Sequence, residues 1–176
     1  MAPLSSNDIL RLLERLNDEL EAASVRGVVH LAGGAVMCLA FHARDSTRDV
    51  DATFEPSVAV LEAAHRVAAR ENVPEHWLND AVKTYLSDHG EFDELLERSH
   101  LRVFSANAKY MLAMKSMAMR VGEGYQDEAD IRYLLRHLGI ETVENALHMI
   151  GKYYPLEAFP KRALAALEEI LSGSRG

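Results

Sequence analysis

The stretch from Val28 to Phe54 constrains the fold more than any other part of the chain. It opens with VVHLA, a short run rich in β-branched residues that ends at Gly33 and Gly34, and such runs favour strands. The helix-prone segment AVMCLAFHA follows. RDVDATF then alternates polar and apolar residues, the period-two pattern of a strand with one buried face. The sequence therefore predicts a strand, a glycine turn, a helix and a second strand.

Two carboxylates of the second predicted strand, Asp49 and Asp51, are expected to share its polar face. Residues two apart on a strand project to the same side, with Cα atoms roughly 6.5 Å apart. Their oxygens can converge on a hydrated Mg²⁺ or Mn²⁺ ion, which bridges phosphate oxygens and activates an acceptor hydroxyl. We therefore predict that Asp49 and Asp51 are metal ligands and catalytic residues.

Gly33 and Gly34 lie where the first strand passes into the helix, so backbone N–H groups there can meet phosphate oxygens without obstruction. The short helix returns the chain to an adjacent strand, which puts the glycines and the carboxylates at the same end of the sheet. Arg44 and, more weakly, Thr47 are further candidates for binding the phosphates of a nucleotide. An exposed arginine near a helix end that favours the helix dipole is the alternative for Arg44.

The overall charge argues against a broad, non-specific grip on nucleic acid. The formal charge is −8, whereas such a grip depends on a dense basic surface that displaces counterions. A local basic pocket of Arg44, Arg48, Lys115 and Arg120 leaves tRNA open as a substrate. The single cysteine, Cys38, and the lack of a long apolar run favour a reducing cytoplasm and no membrane association.

The other segments predict an α/β half followed by a helical half. In the first half, helices are expected from Asn7 to about Ala23 with Ser6 or Asn7 as the cap, over 57–70 and over 75–87, and LRVFS is expected to form a third strand after the polar stretch EFDELLERSH. The second half shows only helical periodicity, over 109–121, 127–138, 141–154 and 156–172. We therefore divide the chain into an α/β core, 1–105, and a helical region, 106–176.

The block LAGGAVMCLAFHARDSTRDVDATFEP resembles the glycine pair, helix and Asp-x-Asp block of the polymerase-β-like nucleotidyltransferase superfamily. The resemblance extends to small bacterial proteins related to the AbiEii abortive-infection toxins, in which a helix bearing lysine precedes an arginine and a D-x-x-D segment. Here these residues are Lys115, Arg120, Asp127 and Asp130, and WLNDAVK around Trp77 resembles another segment of those proteins. The similarity spans residues 8 to 138.

The resemblance implies a nucleotidyltransferase fold, with a small mixed sheet flanked by helices and a C-terminal helical bundle. It implies transfer of a nucleoside monophosphate from a nucleoside triphosphate to a tRNA, protein or small-molecule acceptor, with Mg²⁺ on Asp49 and Asp51 and with Lys115 and Arg120 near the phosphates. It also implies the toxin-like role in a toxin–antitoxin or phage-defence pair.

The superfamily pattern usually includes a third acid on a later strand, and LRVFS has none. Asp127 or Asp130 would then supply the missing function, and the sequence does not choose between them. The alternative is a protein of the same fold that has lost turnover and acts as an antitoxin or regulatory binding partner.

The residues of the helical half also have purely structural interpretations. Lys115 lies on an apolar segment, where it either needs a buried partner or extends its ammonium to water. Asp127 and Asp130 have the spacing of N-cap and N3 residues of the helix that they begin.

Overall fold

The computed structural model describes residues 2–120 and 125–173. The strands in these residues are β1 (Leu4–Ser5), β2 (Gly27–Leu31), β3 (Ser46–Thr47), β4 (Val50–Glu55), β5 (Leu78–Asn79), β6 (Phe92–Glu97) and β7 (Leu101–Ala106). The helices are α1 (Ser6–Ala22), α2 (Gly33–Leu39), α3 (Ser57–Glu71), α4 (Ala108–Met117), α5 (Asp127–His137), α6 (Val143–Ile150) and α7 (Lys161–Gly173), with short 3₁₀ helices at Ala81–Tyr85 and Leu156–Ala158. The predicted mixed α/β class is confirmed.

The chain divides into two compact units. The first unit comprises Met1–Thr84 and Phe92–Ala106, and the second comprises Tyr85–Glu91 and Asn107–Gly176. The short segment Tyr85–Glu91 therefore belongs with the helices of the second unit, although it lies between two strands of the first unit in the sequence.

The first unit contains a five-stranded mixed sheet with the strand order β5-β4-β2-β7-β6. β2 pairs antiparallel with β4 and parallel with β7, while β6 and β7 form an antiparallel hairpin with a bulge between Glu94 and Leu96. Because β2 and β4 run in opposite directions, the end of β2 lies beside the start of β4. This register brings the glycine turn to the acidic strand.

One face of this sheet is apolar and is covered by two helices. Alternate residues of the three central strands supply it: Val29, Leu31, Val50, Ala52, Phe54, Leu101 and Val103. α1 and α3 pack against each other, and they contact β7 and β4 respectively. α1 begins with a capping box in which the Ser5 hydroxyl accepts from the Asp8 N–H and the Asp8 carboxylate accepts from the Ser5 N–H. The cap is therefore Ser5 and not the predicted Ser6 or Asn7.

The helix predicted over 75–87 is wrong. Leu78–Asn79 forms β5 beside the start of β4, and the Trp77 carbonyl accepts from the Val50 N–H at 2.7 Å. The Trp77 indole is buried and donates to the Ala64 carbonyl at 3.0 Å. Tertiary contacts of this one large side chain and its backbone thus override the local helical pattern.

The polar stretch EFDELLERSH contains a strand, β6, that the sequence did not predict. β6 is the edge strand of the sheet, and within the described part of the chain it pairs with β7 alone, so most of its acidic side chains stay exposed. A mixed charged sequence at an edge shows little of the alternation that identifies a half-buried strand.

The second unit is helical. α4 contacts α5 and α6, and α6 contacts α7. The first three helices of this unit correspond to the predicted segments 109–121, 127–138 and 141–154. The last predicted segment, 156–172, is divided, because Pro160 lies between the 3₁₀ turn and the start of α7.

Tyrosine side chains fix the segment Tyr85–Glu91 to this helical unit. The Tyr110 hydroxyl accepts from the Ser87 N–H at 2.9 Å, and the Ser87 hydroxyl donates to the Tyr153 carbonyl. The Tyr154 hydroxyl donates to the Tyr85 carbonyl. Across the described ranges, no helix is long and apolar enough to cross a membrane.

Candidate functional site

The first candidate cluster, which we call the glycine site, consists of Gly33, Gly34, Arg44, Thr47 and Asp51. Gly33 begins α2 with a φ of +63°, a left-handed conformation that glycine adopts without steric cost. The Ala32 N–H donates to the Asp51 carbonyl at 2.9 Å and closes the sheet beside this bend. The predicted proximity of the glycine turn and the acidic strand is confirmed.

The Asp51 carboxylate lies directly against Gly33. A Cβ added to Gly33 would be 2.6 Å from Asp51 Oδ2, closer than real Cβ contacts allow, and 3.3 Å from Asp51 Cβ. Glycine is therefore required here twice, for its positive φ and for the close approach of the carboxylate. Asp51 is half-buried on the polar side of β4.

The next glycine makes room for two side chains that follow α2. A Cβ at Gly34 would collide with the Thr47 hydroxyl and would lie 3.0 Å from Arg44 Nη1. Thr47 is buried because β3 pairs with β1, opposite Leu4. The guanidinium of Arg44 therefore lies at the N-terminal turn of α2, so the alternative that it favours the dipole at the C-terminal end of this helix is wrong.

Asp49 is placed less tightly than Asp51. The sequence predicted that Asp49 lies within the strand, and this is wrong. β4 begins at Val50, so Asp49 lies in the bend before it. The pleat of the strand therefore fixes the direction of Asp51 but not that of Asp49. Both acids are half-buried.

The second candidate cluster, which we call the lysine cluster, lies within the helical unit and consists of Lys115, Arg120, Asp127 and Asp130. Lys115 Nζ is 3.0 Å from Asp127 Oδ1 and 2.8 Å from Asp130 Oδ2. Lys115 is 9% exposed, and the two aspartates are 3% and 2% exposed. The alternative of a lysine that extends to water is therefore wrong.

Arg120 completes the lysine cluster from its exposed side. Its backbone N–H and its Nε donate to Asp127 Oδ2 at 3.1 and 3.0 Å, while its guanidinium also stacks 4.8 Å from the Tyr125 ring centroid. Two cations thus face two carboxylates. Buried charges that are paired in this way avoid the desolvation cost that an isolated charge would have.

The capping interpretation of the two aspartates is also wrong. The N-cap of α5 is Gln126, so Asp127 is the first helical residue, and Asp130 lies beyond the N3 position. Their carboxylates bind Lys115 instead. Burial raises the pKa of Asp127, but the hydrogen bonds from Arg120 and the charge of Lys115 outweigh this effect and hold the pKa below its usual value of 3.8.

Sequence reasoning missed an aromatic group on the face of the sheet opposite α1 and α3. His30 stacks on Phe104 with ring centroids 5.1 Å apart, and the Phe92 ring meets His30 edge-on at 4.9 Å. The signal in the sequence was the alternation of VVHL and LRVFS, whose polar and aromatic members lie on one face. All three rings are partly exposed.

Among residues 2–120 and 125–173, no group of three or more histidine, cysteine or acidic side chains could hold a metal ion. A pair of carboxylates nonetheless suits Mg²⁺, which commonly binds one or two carboxylates together with water and substrate phosphates. Asp49 and Asp51 supply such a pair of half-buried carboxylates, and their role as metal ligands stays a prediction. No family model, curated protein or solved structure matches the chain.

Proposed function

We propose that the protein is a Mg²⁺-dependent nucleotidyltransferase that transfers a nucleoside monophosphate from a nucleoside triphosphate to a tRNA, protein or small-molecule acceptor. The observation that supports this proposal is the contact between the Asp51 carboxylate and Gly33, which puts an acid against a backbone bend with no side chain in between. The proposed setting is a toxin–antitoxin or phage-defence pair in the cytoplasm.

The glycine site suits a triphosphate because it brings a cation, a hydroxyl and an acid together around two consecutive glycines. Arg44 reaches the first turn of α2 beside Gly34, and Thr47 lies against the same glycine. A guanidinium binds phosphate oxygens through paired hydrogen bonds, and a hydroxyl adds a further donor. We assign these two side chains to the phosphates of the nucleotide.

Asp49 and Asp51 would hold the metal ion, which supplies charge neutralisation on the triphosphate when it is bound. The acceptor hydroxyl attacks the α-phosphorus in line and loses its proton to water. A new phosphorus–oxygen bond forms as the bond from the α-phosphorus to the oxygen that bridges the α- and β-phosphates breaks, and pyrophosphate leaves. Such a displacement depends on positioning and on electrostatic stabilisation. Asp51 is the better positioned of the two acids, because the strand and Gly33 fix it on two sides.

The assignments of Lys115 to catalysis and phosphate binding, of Arg120 to nucleotide binding and of Asp127 or Asp130 to catalysis stay predictions. Lys115 can be tested with Lys115→Arg, which keeps a cation for Asp127 and Asp130. A purely structural lysine would tolerate this change without a specific effect on transfer, since the buried charges remain paired.

The proposal is tested by label transfer. The purified chain is mixed with Mg²⁺, one α-³²P-labelled nucleoside triphosphate at a time, total tRNA and a cell lysate, and the products are separated to find the labelled acceptor. We expect label on one class of acceptor, and we expect Asp51→Asn to reduce the rate by about 100-fold or more, because charge stabilisation at a reacting phosphate is a large contribution.

Asp45→Asn is the matched control, since Asp45 is an exposed acid directly before β3 and is close to Asp51 in the sequence. It should transfer label at the wild-type rate. Absence of label with every triphosphate would refute the enzyme and favour the alternative, a binding protein of the same fold that acts as an antitoxin or regulator.

A further inference from the structure

The face of the sheet that α1 and α3 leave uncovered carries side chains in ordered rows. The strand register places Thr53, His30, Phe104 and Glu94 in one row across β4, β2, β7 and β6. Asp51 lies on the same face, two residues before Thr53. The glycine site is therefore continuous with this row.

Three neighbouring side chains of this face form a stack. Arg102 lies with its guanidinium carbon 5.0 Å from the Phe104 ring centroid, and the Phe104 and His30 rings are inclined by only 17°. Arg102 also binds Glu94 at 2.5 Å, so an acid of this face is already neutralised by the protein.

The stack ends at His30 on the side that faces β4. β2 lies between β7 and β4, so the His30 ring has Phe104 on one side and the position of Thr53 on the other. Thr53 is half-buried and its side chain is much smaller than a ring. Diagonal neighbours across an antiparallel strand pair are about 7–8 Å apart, and Asp51 stands in that relation to His30. A ribose can bridge this span.

We propose that the base of the nucleoside triphosphate stacks on the face of the His30 ring that is turned away from Phe104, beside Thr53, so that Arg102, Phe104, His30 and the base form one continuous stack. The inference rests on the proposed function, since it assumes that the phosphates lie at the glycine site. It also predicts the preference among nucleoside triphosphates. Stacking depends on the area of a base more than on its hydrogen-bonding edge, so all four triphosphates should bind and purines should bind more tightly than pyrimidines.

The chemistry of His30 suits this role. Burial lowers the pKa of the His30 imidazole below 6.5, against the opposing charge of Glu55. The ring is therefore predominantly neutral at pH 7 and offers an aromatic surface to a base. Phe92 holds the ring from its edge, which limits the side-chain entropy that is lost when a base binds.

The test is isothermal titration calorimetry, which measures the affinity of the full chain for ATP, CTP and inorganic tripolyphosphate, each with Mg²⁺. We expect His30→Ala to weaken ATP binding by about tenfold, the loss that corresponds to removing one aromatic stacking partner. Tripolyphosphate has no base, so its affinity should not change. His30→Phe restores a flat ring and should bind ATP nearly as tightly as the wild type. His65→Ala, a change on the exposed side of α3, is the control.

The outcomes separate this inference from the proposed function. If His30→Ala binds ATP as tightly as the wild type does, and the two proteins also bind tripolyphosphate equally, the stacking platform is refuted and the glycine site is not. A wild-type protein that binds neither ligand would refute both proposals. Tighter binding of CTP than of ATP would also refute the platform. Thermal unfolding of each variant without ligand shows that it is folded.

Discussion

The glycine site and the lysine cluster both contain carboxylates and cations, but they differ in how deeply the charged groups are buried. In the lysine cluster, Lys115 is buried between Asp127 and Asp130 at salt-bridge distance. In the glycine site, Asp51 is half-buried on β4 and its carboxylate lies against Gly33. The two sites therefore differ in burial, since Lys115 and its two aspartates are almost wholly enclosed by protein whereas Asp51 is partly accessible.

The largest expected effect concerns the lysine cluster. Lys115→Met should lower the free energy of unfolding by about 3–5 kcal/mol, because removing one partner of a buried pair leaves an uncompensated charge. Urea denaturation followed by circular dichroism measures this change. The control is Lys83→Met, which removes an exposed lysine paired with Asp80 and should have little effect, since surface ion pairs contribute little.

Equal effects of Lys115→Met and Lys83→Met would show that the lysine cluster is no more important for stability than a surface pair. A large loss for Lys115→Met that Lys115→Arg recovers would show that the cation itself stabilises the fold.

A smaller effect is expected from acid. The pKa of Asp127 is lower in the folded protein than its usual value of 3.8, against the effect of burial and owing to Arg120 and Lys115. The stabilisation by ionised Asp127 is therefore complete above pH 3.8 and declines as the pH falls through the lowered folded-state pKa. The stability difference between the wild type and Asp127→Asn should accordingly stay constant above pH 3.8 and shrink as the pH falls below it, as measured by urea denaturation at each pH.

A difference that stays constant below pH 3.8 as well would show that the charge of Asp127 does not stabilise the fold. The aspartate would then matter for its shape and hydrogen bonds alone.

In the α/β part of the chain, the periodicity of apolar residues and the position of the glycine pair located several elements correctly. The alternation in RDVDATF located β4 to within two residues, and the glycine pair located the start of α2. The proximity of Gly33 to Asp51 was predictable as well, because a short helix between two adjacent strands returns the chain to the same end of the sheet.

The errors occur where long-range contacts decide the structure. Trp77 reaches Ala64 and draws its segment into β5, a pairing that no local window contains. β6 depends on its partner β7, and its own charged sequence carries little strand signal. The pairing of Lys115 with two aspartates joins residues 12 and 15 positions apart on different helices, so the periodicity of α4 alone left the choice between a buried and a solvated ammonium open.

The aromatic stack was missed for a related reason. His30 and Phe104 belong to strands far apart in the sequence, and only the parallel pairing of β2 with β7 makes them neighbours. Strand register is a property of the assembled sheet, and it was required before this surface could be recognised.

We propose that the triphosphate binds where Asp51 contacts Gly33. Gly139 offers a matched control, since it has a φ of +65° but no atom within 4 Å of an added Cβ, whereas Gly33 has a φ of +63°. Gly33→Ala and Gly139→Ala therefore share a backbone cost of roughly 1–2 kcal/mol, and only Gly33→Ala displaces a carboxylate. The most direct measurement is the stabilisation of each variant by ATP with Mg²⁺ in thermal unfolding. At one ATP concentration, about 100 times the wild-type Kd, wild type and Gly139→Ala should each gain about 2.7 kcal/mol, and Gly33→Ala should gain almost nothing. An equal gain for Gly33→Ala and Gly139→Ala would show that the triphosphate does not bind at this contact.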